Sequence, residues 1–272
     1  LFERLNLKEI NMNKALEFGI RTHFHLAIFS FVYIVGLYKR DTESIVYAAM
    51  FSFGILAIYN SHRLYKLKSR ELPESVFIWV NAHKWMVLGI AITSLIVSLA
   101  LYLCNFDQSY EVHFLTGICI IVSFLYVYKI GHYCLREIPF LKIFLVLGIW
   151  FFLLHTLPIL LFSRPISLGP GLILLIAILI PSDMKDIRFD PKEMYTIPQI
   201  LGINRSLYLL RFLSFIGVFF LIYLDCNNLV PWLISFVYLF ILTFFHRKIG
   251  NEYYFVWVDG SFLITGLGLL FT

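Results

Sequence analysis

Residues 181–202 read PSDMKDIRFDPKEMYTIPQILG, and they directly follow the apolar run LGPGLILLIAILI at 168–180. An apolar segment of that kind, ending in Asp183, Asp186 and Asp190, predicts a helix whose polar end carries three carboxylates. At 100° per residue the three fall within an arc of about 60°, with Lys185, Arg188 and Lys192 on the opposite side. Carboxylates held this close repel one another, so either a cation compensates them or their pKa values rise. Mg2+ takes oxygen ligands and commonly bridges a few carboxylates to substrate phosphates. A solvated charge cluster at a membrane edge has the same composition, and spacing alone leaves both readings open.

Outward from this block the chain is strongly apolar. Of its 272 residues 60% are hydrophobic and 14% charged, with a mean hydropathy of +0.82, which describes an all-α integral membrane protein rather than a soluble domain. Division at polar interruptions gives nine expected spans, near 20–38, 44–60, 84–104, 112–128, 138–162, 167–182, 206–224, 229–245 and 253–271. The span 138–162 is expected to bend at Pro158, which lacks the N–H that continues a helical ladder. Residues 1–19 mix charges with apolar side chains and read as an interfacial lead-in, with no continuous apolar core of a removable signal. The chain reads as one transmembrane domain over 1–272.

Lys and Arg are retained on the cytoplasmic side of short loops. With the N-terminus inside, nine spans place every basic residue except Lys39, Arg40 and Arg164 on that side, together with the Asp-rich loop, and put the C-terminus opposite. The net charge of +5 is then a topology signal and no pointer to nucleic acid. Cys104, Cys119, Cys134 and Cys226 form no CxxC or Cys/His pair, which argues against a disulfide framework or a zinc site.

The stretch DMKDIRFDPKEMYTIPQILG resembles the second aspartate-rich motif of the UbiA superfamily of intramembrane prenyltransferases. The resemblance rests on the aspartates followed by Thr196, Ile197 and Pro198 and then Leu201 and Gly202, and on the place of the block after the sixth span. It implies a UbiA-like bundle in which Asp183, Asp186 and Asp190 are metal ligands. In that family two aspartate-rich motifs hold Mg2+ against an isoprenoid diphosphate, whose ionisation gives an allylic cation that attacks an acceptor. The first motif should follow the second span, where IYNSHRLYKLKSRE stands. Against the family pattern Asn-Asp-x-x-Asp-x-x-x-Asp only Asn60 matches; Ser61, Leu64 and Lys68 occupy the aspartate positions.

Leucine offers no oxygen ligand and a lysine repels Mg2+, so the usual first metal site is not expected. Asn60, His62 and Arg63 are instead candidates to bind the diphosphate, Arg63 foremost because a guanidinium grips two oxygens at once. Lys66, Lys68 and Arg70 read as positive-inside residues. In the third block, YVYKIGHYCLREIPFLK, Tyr126, Tyr128 and Lys129 are loose equivalents of a family tyrosine and lysine that assist the diphosphate. Arg136 and Lys142 read there as topology residues.

Two ionisable residues fall within spans, His155 and Asp259, and at that depth each is expected to face a cavity or a partner. Both are placed provisionally at the substrate pocket with Tyr126; a helix-to-helix hydrogen bond is the simpler role for His155. The functional expectation is Mg2+-assisted prenyl transfer from a polyisoprenoid diphosphate to a lipophilic acceptor among membrane lipids. Isoprenoid cyclisation on the same scaffold and non-catalytic isoprenoid-lipid binding are the alternatives. A transporter would depend on Asp259 and His155 instead.

Overall fold

The structure is a computed structural model that describes residues 14–39, 41–106, 110–129, 134–162, 168–187, 190, 194–223, 229–245 and 251–271, with only the backbone for 251–255. Among the described residues there are helices and no strands. α1 (Lys14–Arg21) and α2 (Phe24–Leu37) meet at 75° around Thr22 and His23, the latter in the left-handed region at φ 61°. There follow α3 (Thr42–Ser69), α4 (Glu74–Ala82), α5 (Lys84–Asn105), α6 (Tyr110–Leu125), α7 (Leu141–Phe151) and α8 (Leu157–Phe162). The rest are α9 (Leu168–Asp186), the short α10 (Ile197–Leu201), α11 (Ile203–Tyr223), α12 (Leu229–Phe245) and α13 (Asn251–Leu270).

Each of the nine expected spans coincides with a helix, α7 and α8 together making the fifth. Among the described residues five helical stretches are long and apolar enough to cross a membrane alone, the bent α1–α2 pair adds a sixth, and α6, α12 and α13 are shorter apolar helices. The protein is integral to the membrane. α3 runs to Ser69, well past its expected end, so the Asn60–Lys68 block lies on a helix.

Faces are sorted as a lipid-embedded bundle requires. On α11, Phe212, Phe215, Phe219 and Ile222 point outward at spacings of three and four, while Leu207, Leu210, Ser214, Gly217 and Leu221 are buried. Neighbours run α5–α3–α2–α13–α12–α11–α9–α7 around a centre, with α9 also touching α13 and α6 lying against α3 and α8. α2 and α13 approach until backbones touch: a Cβ on Gly36 would lie 2.3 Å from the Gly266 carbonyl oxygen, and one on Gly266 2.5 Å from that of Val32. Main-chain atoms cannot swing aside. Gly36→Val is therefore expected to force the helices apart at a cost of about 1–3 kcal/mol, read as a lower melting temperature in detergent.

The bend expected at Pro158 is a widened π turn, Phe152–Thr156, just before it. Pro158 leaves the Leu154 carbonyl without its helical donor, and in an apolar interior that oxygen must find another. The Tyr38 hydroxyl donates to it at 3.1 Å and to the His155 carbonyl at 3.2 Å, and the Tyr47 hydroxyl donates to the Leu153 carbonyl. His155 belongs to this π turn. Its ring is pressed on Gly171, where a Cβ would lie 2.2 Å from Cε1, and its Nε2 is 3.3 Å from the Tyr33 hydroxyl.

Candidate functional site: two adjoining cavities and an acidic cluster

Local sequence explains how the Asp-rich block is held. α9 ends at Asp186, and the Asp190 N–H donates to the Asp186 carbonyl at 2.8 Å. The Thr-Ile-Pro segment starts α10: Gln199 Oε1 accepts from the Thr196 N–H at 3.0 Å while its Nε2 donates to the Asp190 carbonyl at 3.4 Å. Gly202, at φ 77°, ends that helix where a side chain would be strained. The loop is tied to the segment before α7 by Phe140 N–H to the Met194 carbonyl, 3.0 Å, and by the stacked Phe140 and Tyr195 rings.

These ties bring together side chains that are distant in sequence. Lys142, in the first turn of α7, lies with Nζ 2.9 Å from Asp183, 3.8 Å from Asp186 and 2.5 Å from Asp190. Arg136 donates to the other Asp190 oxygen at 2.9 Å. Burial disfavours the Arg136 charge, but Asp190, Tyr126, Asp186 and Glu71 together outweigh this and hold its pKa above the ordinary value. Lys66 and Lys185 also act on Asp186. Arg136 and Lys142, read from sequence as topology residues, are thus the partners of the acidic motif, and Arg188 and Lys192 lie outside the described residues.

The three aspartates do converge, but on an ammonium. Among the described residues no three His, Cys, Asp or Glu side chains are placed to hold one metal ion. The aspartates are hard oxygen donors suited to Mg2+ by chemistry, yet their shared position is taken by Lys142, so as arranged they do not fit the ion.

Beside the aspartates on α9, Ser182 and Lys185 line a central cavity of about 130 Å³ among α2, α3, α7, α9 and α13. Its polar rim also holds His23, His25, Arg63 and Asp259. Arg63 Nε donates to His23 Nε2 at 2.8 Å, and its two terminal nitrogens donate to the carbonyls of Arg21 and Ile20. It therefore fastens the α1–α2 corner to α3 while facing the cavity. His25 Nδ1 is 3.1 Å from the Gly19 carbonyl, which directs Nε2 towards Asp259, 3.3 Å away.

A second cavity of about 160 Å³, almost wholly apolar, lies among α3, α5, α6 and α7 and shares Tyr59, Val146 and Trp150 with the first. Trp150 stacks on Phe262 at 5.8 Å and meets Phe51 edge-on.

Several expected site residues are elsewhere. Asn60 is buried, its amide donating to the Thr22 and Leu56 carbonyls at 2.9 and 2.8 Å. His62 Nε2 is 2.8 Å from the Ser123 carbonyl, and both His62 and Tyr126 line the apolar cavity, not the basic one. Lys129 is exposed and paired with Glu137 at 3.3 Å and Glu71 at 3.8 Å, which accounts for its charge without a diphosphate. His155 lines neither cavity; along the helix it is about 20 Å from Lys142. Of the proposed diphosphate ligands only Arg63 faces the central cavity, and Asp259 joins it there. His23 and His25 were not singled out from sequence, although two histidines two residues apart at the start of an apolar run are an unusual polar mark.

The fold has a precedent among solved structures. A UbiA homolog from Archaeoglobus fulgidus bound to GPP and Mg2+ superposes with a TM-score of 0.63 at 16% identity, covering 93% of this chain and 98% of that one. The chain has the UbiA fold. The same homolog bound to DMAPP and Mg2+ matches at a TM-score of 0.60, again with 16% identity over 93% and 98% of the two chains. No family model and no curated protein sequence matches this UbiA-fold chain. The likeness is one of fold; in this chain Lys142 and Arg136 surround the acidic motif.

Proposed function

We propose that this UbiA-fold protein takes an isoprenoid diphosphate, with the head group at the basic rim of the central cavity and the prenyl chain running past Trp150 into the apolar cavity, and transfers the prenyl group to a lipophilic acceptor. The observation that carries this reading is the pair of adjoining cavities, one rimmed by Arg63, Lys185, His23 and His25 and one apolar. It is supported by the GPP and DMAPP bound to the two structural neighbours. Cations at the rim would stabilise charge as diphosphate leaves. The faces of Tyr59 and Trp150 would favour an allylic cation between the cavities. Asp259, held by His25, would meet an acceptor hydroxyl at the rim. The excess of Lys and Arg at this end of the bundle puts the rim on the cytoplasmic side in this reading.

A second reading has one observation in its favour. With the aspartates tied to Lys142 and Arg136, the chain would bind an isoprenoid lipid without turning it over. Diphosphate release from allylic diphosphates of several lengths, by purified protein with membrane lipids as acceptors, separates the two. Release with a prenylated lipid product is expected; saturable binding without release would replace transfer by binding. Arg63→Ala is expected to weaken diphosphate binding about 10–100-fold, the worth of charge-assisted hydrogen bonds of 1.5–3 kcal/mol, and Lys68→Ala hardly at all. Equal small losses would return Arg63 to a purely structural role.

A further inference from the structure

The acidic motif and its partners can be read as a finished electrostatic unit. Asp183, Asp186 and Asp190 turn their oxygens to the Lys142 ammonium at 2.9, 3.8 and 2.5 Å, and Arg136 uses the remaining Asp190 oxygen at 2.9 Å. The side chains of Lys142 and Asp183 are 7% exposed and that of Asp190 2%, so this is a desolvated group; Asp186, at 35%, is its open edge. A buried charge persists only when paired, and here three acids have two direct cationic partners, with Lys66 and Lys185 acting on Asp186. Mg2+ binds oxygens at about 2.0–2.1 Å in a strict octahedron and would meet the Nζ atom in the same space. It would also bring two positive charges to a group already compensated. The opposing helix offers no replacement carboxylates, because Ser61, Leu64 and Lys68 stand at the positions where they would be needed.

We propose that Lys142, seconded by Arg136, is a built-in cation that replaces a divalent metal at this motif, so that the protein engages its anionic ligand without Mg2+. The part of this that concerns the ligand rests on the isoprenoid diphosphate reading above; the part that concerns the metal does not. Lys142 is a positioning residue. It holds the end of α9, and with it Lys185 on the cavity rim, in the place that a metal would otherwise fix.

The first test uses Mn2+ as a spectroscopic probe on purified protein without substrate, with melting temperature in Mg2+ or EDTA as a second readout. Wild-type protein is expected to leave the free Mn2+ signal unchanged and to melt at the same temperature in both. Lys142→Met, which uncovers three carboxylates, is expected to melt lower, to bind Mn2+ and to regain part of the loss in Mg2+. Should that variant not fold, Lys142→Arg keeps the charge and is expected to remain indifferent to both ions. Mn2+ bound by the wild type or by Lys142→Arg, and released by Asp183→Asn, would overturn the proposal. In parallel, binding of a labelled prenyl diphosphate by the wild type is expected to survive EDTA. Collapse of binding in EDTA would also overturn it. Absence of binding in either condition would overturn the isoprenoid reading, and the Mn2+ result would still decide the role of Lys142.

Discussion

Asp190→Ala is expected to destabilise the protein by about 3–5 kcal/mol, the range seen when one partner is removed from a buried ion pair. Asp190 is the one carboxylate that joins both cations, with one oxygen on Arg136 and the other on Lys142. Its loss leaves an arginine and a lysine facing each other in a nearly dry site. Asp186→Ala should cost far less, because that side chain is about a third exposed and its bridge is 3.8 Å long. If all three aspartates were equivalent metal ligands, their alanine variants would differ little in metal-free buffer. Melting temperatures of the three variants in detergent with EDTA therefore give an order, Asp190 most damaging and Asp186 least, that belongs to the salt-bridged arrangement. Combining Asp190→Ala with Arg136→Met should recover part of the loss, since contacting partners are not additive.

The second large effect is functional. Trp150, with Tyr59 and Val146, lines both cavities, and Trp150→Ala is expected to widen the passage between them into one longer space. A longer prenyl chain could then bury more of its length, and two additional buried methylenes at about 0.8 kcal/mol each are enough for roughly a tenfold shift in relative affinity. Competition between short and long prenyl diphosphates should therefore tilt towards the longer by about that factor in the variant. An unchanged ratio would mean that the chain does not pass Trp150. Some loss of stability will accompany the gain, because the indole stacks on Phe262 and closes against Phe51.

Most of the architecture was legible in the sequence because lipid imposes it. Apolar segments of the right length coincide with helices, and a π turn stands just before Pro158, where a helical N–H is missing. The shared face of Asp183, Asp186 and Asp190 also followed from helical spacing. What they face did not. Retention of basic residues at one end explains Lys142 and Arg136 as well as it explains Lys68, so composition cannot tell a paired lysine from a solvated one. The usable clue was position: Lys142 is the second residue of an otherwise apolar helix, where a charge needs a partner.

Side-chain direction was the other limit. Asn60, His62 and Arg63 are near neighbours on α3, yet one fixes backbone carbonyls, one borders the apolar cavity and one faces the basic rim. His23 and His25 reach that rim because the chain turns through 75° with His23 in a left-handed conformation, a turn that no periodicity announces.

Equilibrium binding of labelled prenyl diphosphates to the purified protein, with inorganic diphosphate and the matching prenyl alcohol as competitors, shows whether the head group is held at the basic rim. The predicted result is saturable binding that diphosphate displaces, that the alcohol displaces only weakly, and that Arg63→Ala loses. Binding that the alcohol displaces as well as the diphosphate does, or that Arg63→Ala leaves intact, would contradict that placement.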